Sequence, residues 1–142
     1  MSTARDILSR KGNDVWSIEP QASILQAIEQ MAKKEVGALL VMDSDKLVGI
    51  ITERDYVRKV ALEGRSSRDS QVQDIMSPKV LCAKPEQTVQ ECMALMSDKR
   101  ARHLPVVEQE KVIGMISIGD LVMSIINEQQ HEIESLQHYI NH

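Results

Sequence analysis

The chain is a duplication. Shifted by 65 residues, positions 15–60 align on 80–125 without a gap, and 11 of the 46 pairs are identical. Pro20/Pro85, Leu39/Leu104, Gly49/Gly114 and Asp55/Asp120 are among them, and Ser23/Thr88, Val48/Ile113 and Thr52/Ser117 are conservative. Glycine and proline fix backbone geometry, so holding them in one register means that the two halves share one local structure. A shorter match, at a shift of 68, relates Asp6-Ile7-Leu8-Ser9 to Asp74-Ile75-Met76-Ser77. Each repeat therefore starts with a lead segment, and the N-terminus reads as structure rather than as a targeting peptide.

Within a repeat the pattern predicts a lead helix at 4–9, an extended segment at 15–18 closed by Pro20, and a helix capped by Ser23. Ile24, Leu25, Ile28, Met31 and Ala32 trace one face of that helix, which ends at Gly37. Strands at 38–42 and 47–52 flank a hairpin turn at 43–46, and a last helix runs over 53–62. The second repeat has an extended segment at 80–83, a helix from Thr88 to 98, strands at 103–107 and 112–117, and a helix from Gly119. A repeat of about 60 residues would leave an apolar sheet face in water. The expected fold is α/β (α+β), with two pseudo-two-fold-related β-α-β-β-α repeats packed sheet to sheet. Residues 1–66 form the first repeat with its helix, 67–126 the second, and 127–142 a C-terminal amphipathic helix. The polar stretch 64–71 links the repeats and is expected to be mobile.

Composition narrows the function. The net charge is −4 and aromatics are 2% of the chain, which argues against a nucleic-acid surface built on phosphate charge and base stacking. Apolar runs of about five residues are too short for a membrane span. Two cysteines, Cys82 and Cys92, make no metal or redox spacing and read as small buried residues of a protein in a reducing cytoplasm. The six glycines are dispersed, so there is no phosphate-cradling loop, and there is no nucleophile–base pair; the chain reads as a non-enzyme. His131, His138 and His142 lack the spacing of a tight metal-binding face, and no metal is expected.

Thr52 and Asp55, like Ser117 and Asp120, stand three apart at a strand-to-helix junction. Two compatible readings are open. The pair can cap the helix, with the aspartate favoured by the helix dipole. The carboxylate can also accept a ribose diol while the hydroxyl and free N–H groups face phosphate.

The segment Val48-Gly49-Ile50-Ile51-Thr52-Glu53-Arg54-Asp55 recurs as Ile113-Gly114-Met115-Ile116-Ser117-Ile118-Gly119-Asp120. It resembles the cystathionine β-synthase-type (CBS) domain, whose second-strand signature Arg102-His103-Leu104-Pro105-Val106-Val107 also resembles. The pair is similar to a Bateman module and covers nearly the whole chain. The resemblance implies a non-catalytic sensor that binds AMP, ADP, ATP, NAD or S-adenosylmethionine in a cleft between repeats and signals to a partner protein, as yet unidentified. Carried over, it places Thr52 and Asp55 with Arg54, Arg102 and His103, and sets Ser117 and Asp120 against Gly37 and Ala38 with little positive charge. Val15, Trp16, Ile18, Val36, Val80 and Ala83 become candidate adenine walls. The resemblance also favours a homodimer. Ile126, Ile133 and Ile140, seven apart, with Leu136, give the tail an apolar stripe suited to a partner surface. The alternative function is a ligand-free protein-interaction scaffold.

Overall fold

The computed structural model describes residues 2–140. It separates into a continuous unit, Val15–Val80, and a split unit that joins Met1–Asp14 to Leu81–His142.

In the continuous unit, β1 (Ser17–Ile18) runs parallel to β2 (Ala38–Asp43), which pairs antiparallel with β3 (Lys46–Thr52). Helix α2 (Ile24–Lys34) crosses from β1 to β2, and α3 (Glu53–Tyr56) follows β3 and loosens into a π-helical turn over Val57–Ala61. Ile24, Ala27, Met31, Leu39, Val41, Ile51 and Val60 form the core. Alternate residues of the buried strands and one face of α2 meet there, as their periodicities require. In the split unit, β4 (His103–Glu108) pairs antiparallel with β5 (Lys111–Ser117), α5 (Val89–Lys99) takes the place of α2, and α6 (Ile118–Ile140) is one unbroken helix. Both hairpins carry a bulge at the equivalent place, between Val41 and Met42 and between Val106 and Val107.

The lead helices settle which unit each lead segment stabilises. Helix α1 (Ala4–Lys11) packs in the split unit, burying Ala4, Ile7 and Leu8 with Val89, Cys92, Met96, Leu104 and Ile116. Helix α4 (Val72–Ile75) packs in the continuous unit, burying Val72 and Ile75. Each lead segment therefore serves the body of the other repeat. The docking is duplicated bond for bond. Ala4 N donates to Gln87 O and Arg5 N to Pro85 O, while Val89 N donates to Ser2 O. Equivalently, Val72 N donates to Ala22 O, Gln73 N to Pro20 O and Ile24 N to Ser70 O. In both units a lead-segment carbonyl thus satisfies an N–H that the first turn of a helix leaves without an intrahelical partner.

Several sequence expectations change. The segment 80–83 forms no strand and contributes an isolated bridge, Ala83 to Val106, so the second sheet has two strands. Gly37 does not end α2; Glu35 does, in the left-handed region at φ 56°, and Arg100 ends α5 at φ 54°. The polar link is anchored as well as exposed, because Ser67 O and Ser70 O accept the Leu25 and Ile24 N–H groups.

Candidate functional site

Both hydroxyl–aspartate pairs form where a strand hands over to a helix. Thr52 is extended, at φ −126° and ψ 163°, and its Oγ1 accepts the Asp55 N–H at 3.1 Å. In return Asp55 Oδ2 accepts the Thr52 N–H at 3.0 Å and the Thr52 hydroxyl at 3.1 Å. The split unit repeats the box, with Ser117 N donating to Asp120 Oδ2 at 2.8 Å and Asp120 N donating to Ser117 Oγ at 3.2 Å. The capping reading therefore holds at both junctions. A carboxylate oxygen takes about two hydrogen bonds, so the cap commits Oδ2 of Asp55 and leaves Oδ1 as an acceptor at the helix start. Lys59 Nζ lies 3.7 Å from that Oδ1, beyond hydrogen-bond range, and donates instead to Ile75 O at 2.9 Å.

Strand register decides what borders each junction. Ala38 pairs with Thr52, and Glu53 N donates to Gly37 O at 3.0 Å, so Gly37 and Ala38 flank the Asp55 junction. Their counterparts do the same in the split unit, where His103 pairs with Ser117 and Ile118 N donates to Arg102 O at 3.0 Å. Arg54 and Arg102 are exposed, and His103 is half-buried. Burial lowers the His103 pKa, the positive charges of Arg102 and Lys11 lower it further, and Asp120 opposes them. The imidazole is thus neutral near pH 7. Trp16 and Ile18 pack on the core of the continuous unit, and Lys34 Nζ stands 4.7 Å from the centre of the Trp16 ring. Ala38 is buried, whereas Val15 and Val80 keep partial exposure.

The expectation of little positive charge at Asp120 needs correcting. Lys11 Nζ donates to Asp120 Oδ2 at 2.7 Å and to Met115 O at 2.8 Å, and Arg10 Nη2 donates to Ser124 Oγ at 3.2 Å. Lys11, Arg10, Asp120 and Ser124, with Ile7, Met123 and Asn127, line a shallow cavity. Burial would raise the Asp120 pKa, but the Lys11 ammonium and the Ser117 hydrogen bonds outweigh it, so the carboxyl titrates below its ordinary value. The sequence signal was in the lead-segment alignment, where Arg10 stands against Pro78 and Lys11 against Lys79. A residue before proline is driven out of the helical region, so the second lead helix stops at Ile75 while α1 continues to Lys11.

Among the described residues no three His, Cys, Asp or Glu side chains gather as a metal site. His131 and His138 are exposed on α6, and His142 lies outside the described residues. Burial raises the pKa of both thiols, Cys82 and Cys92. Among the described residues no helix is long and apolar enough to cross a membrane.

This architecture agrees with comparison to known proteins. Residues 4–62 and 72–127 each match the CBS domain family, and the chain belongs to that family as a tandem pair. It is 38% identical to the mitochondrial CBS domain-containing protein CBSX3 of Arabidopsis thaliana over 98% of this chain and 72% of that protein. The crystal structure of the CBS-domain protein NE2398 superimposes with a TM-score of 0.84 at 46% identity, covering 88% of this chain and 98% of that one. The CBS domain pair of protein MJ0100, in complex with 5′-methylthioadenosine and S-adenosyl-L-methionine, shares the fold at a TM-score of 0.78. Its identity is 24%, with 90% of this chain and 98% of that one covered.

Proposed function

We propose that this chain is a non-catalytic regulatory module that binds an adenosine-containing ligand at the Asp55 junction and passes its occupancy to a protein partner. The observation that carries this reading is the state of Asp55. Its carboxylate is held at the start of α3 by Thr52, its side chain is only 18% exposed, and Oδ1 has no hydrogen bond to the nearest cation. An acceptor so placed suits the two hydroxyls of a ribose. The ligands bound by the MJ0100 pair are of this chemical class, which supports the choice of adenosine. Arg54, exposed on the same turn, supplies positive charge for a phosphate-bearing ligand. The reading includes assembly as a homodimer through α6, whose Ile126, Ile133, Leu136 and Ile140 are 48–77% exposed along one stripe.

Thermal unfolding with AMP, ADP, ATP, NAD and S-adenosylmethionine tests the proposal. A ligand present at about 100 times its dissociation constant adds roughly 2.7 kcal/mol to stability. One or more members of the panel should raise the midpoint by several degrees. A flat response to all five would favour the scaffold reading, for which the uncovered α6 stripe is the supporting observation.

A further inference from the structure

The two junctions share a sequence pattern and a cap, yet the lead segments treat them oppositely. At Asp120 the lead helix itself delivers a cation: α1 runs on to Lys11, whose ammonium bonds both Asp120 Oδ2 and Met115 O. At Asp55 the matching lead helix has ended at Ile75, Lys79 is exposed, and the nearby ammonium of Lys59 bonds the Ile75 carbonyl and stands 3.7 Å from Asp55 Oδ1. A lysine bonded to a carboxylate at 2.7 Å neutralises much of its charge, and here it does so on Oδ2, the oxygen that also accepts the Ser117 N–H. A carboxylate whose nearest ammonium stands 3.7 Å away is paired more loosely and keeps more of its charge.

From this inequality we infer that Lys11 is an internal lock on the Asp120 carboxylate, so that the chain presents one ligand-competent junction, at Asp55, and one self-occupied junction, at Asp120. The inference rests on the adenosine-ligand reading given above and adds to it a stoichiometry and the residue that sets it. A ligand reaching Asp120 meets a carboxylate whose charge is already balanced by an ammonium, so the charge-assisted hydrogen bond that a sugar hydroxyl would gain there is weakened. The second junction opens only when α1 withdraws or Lys11 is neutralised, so occupancy of that junction reports on the state of the N-terminal helix.

Calorimetric titration of AMP into the full chain tests the lock, using the wild type, Lys11→Met and Lys11→Gln. Lys11 caps no helix and its side chain is 34% exposed, so both variants should fold; a thermal melt checks this, and the glutamine retains a donor for Met115 O. The wild type should bind one AMP per chain, and both variants two, with the added site lost again in Lys11→Met combined with Asp120→Ala. One equivalent in wild type and in folded variants overturns the lock while leaving the Asp55 reading intact. No binding to wild type with one equivalent in the variants sustains the lock and overturns the Asp55 reading. No binding to any of the proteins overturns both. Two equivalents in wild type, reduced to one by Lys11→Met, overturns the lock by making Lys11 a ligand contact.

Discussion

Asp55 and Asp120 give the same two atoms to a helix cap and differ in how closely an ammonium approaches the carboxylate, 3.7 Å at Asp55 against 2.7 Å at Asp120. Thr52 and Ser117 hold the backbone extended and satisfy the N–H of the third helical residue, so each pair is structural before it is functional. Next to Asp120, His103 is kept neutral mainly by burial. Its folded pKa lies below the ordinary 6.5, so the stability it contributes is present above that value and is lost as pH falls through the folded pKa. Asp120, also depressed, has the same sign at lower pH. Denaturant midpoints measured from about pH 7 to 5 should therefore decline, and His103→Gln should flatten that part of the curve. A profile unchanged by the substitution would mean that His103 titrates alike in the folded and unfolded chain.

Elements that depend on local pattern were legible in the sequence; those that depend on a partner segment were not. The hairpins, the capped helices α2 and α5, and both strand-to-helix junctions follow from periodicity and from Ser, Thr and Asp at cap spacing. The reduced first strand of the second repeat was hidden, because only Ala83 finds a ladder partner in Val106. The lock at Asp120 was hidden for a related reason, since it depends on a helix one turn longer packing beside α6, although Pro78 against Arg10 was there to be read. The repeated glycine has a packing origin on both sheets. A Cβ on Gly49 would meet Met76 Sδ at 2.6 Å and the Ser77 carbonyl oxygen at 2.9 Å, whereas the three atoms nearest to one on Gly114 are Leu8 side-chain carbons, the closest at 2.5 Å. A backbone carbonyl yields less readily than a side chain, so Gly49→Ala should destabilise more than Gly114→Ala, by about 1–3 kcal/mol in chemical denaturation. Equal costs would show that the Leu8 tip is as fixed as the backbone.

At the scale of the whole molecule, the exchanged lead segments make each unit depend on residues remote in sequence. The split unit buries Ile7 and Leu8 to 4% exposure, and burying such a side chain fully is worth about 1.5–3 kcal/mol. Deleting residues 1–12 should therefore lower the melting temperature sharply and abolish hydrogen-exchange protection in β4 and β5. Retained protection there would mean that the split unit folds without α1. The far half of α6 contributes little to its own unit's core, since residues 129–140 are all exposed. Truncation after Asn127 should accordingly weaken the proposed dimer more than the fold, as light scattering at micromolar concentration would report; a wild-type chain that is monomeric there would remove the dimer from the account. Calorimetry on Asp55→Ala with the best ligand from the thermal panel tests ligand and site together. A charge-assisted hydrogen bond is worth about 1.5–3 kcal/mol, so affinity should fall roughly 10- to 150-fold, while Asp120→Ala leaves it close to wild type. Affinity unchanged in Asp55→Ala but abolished in Asp120→Ala would contradict the account.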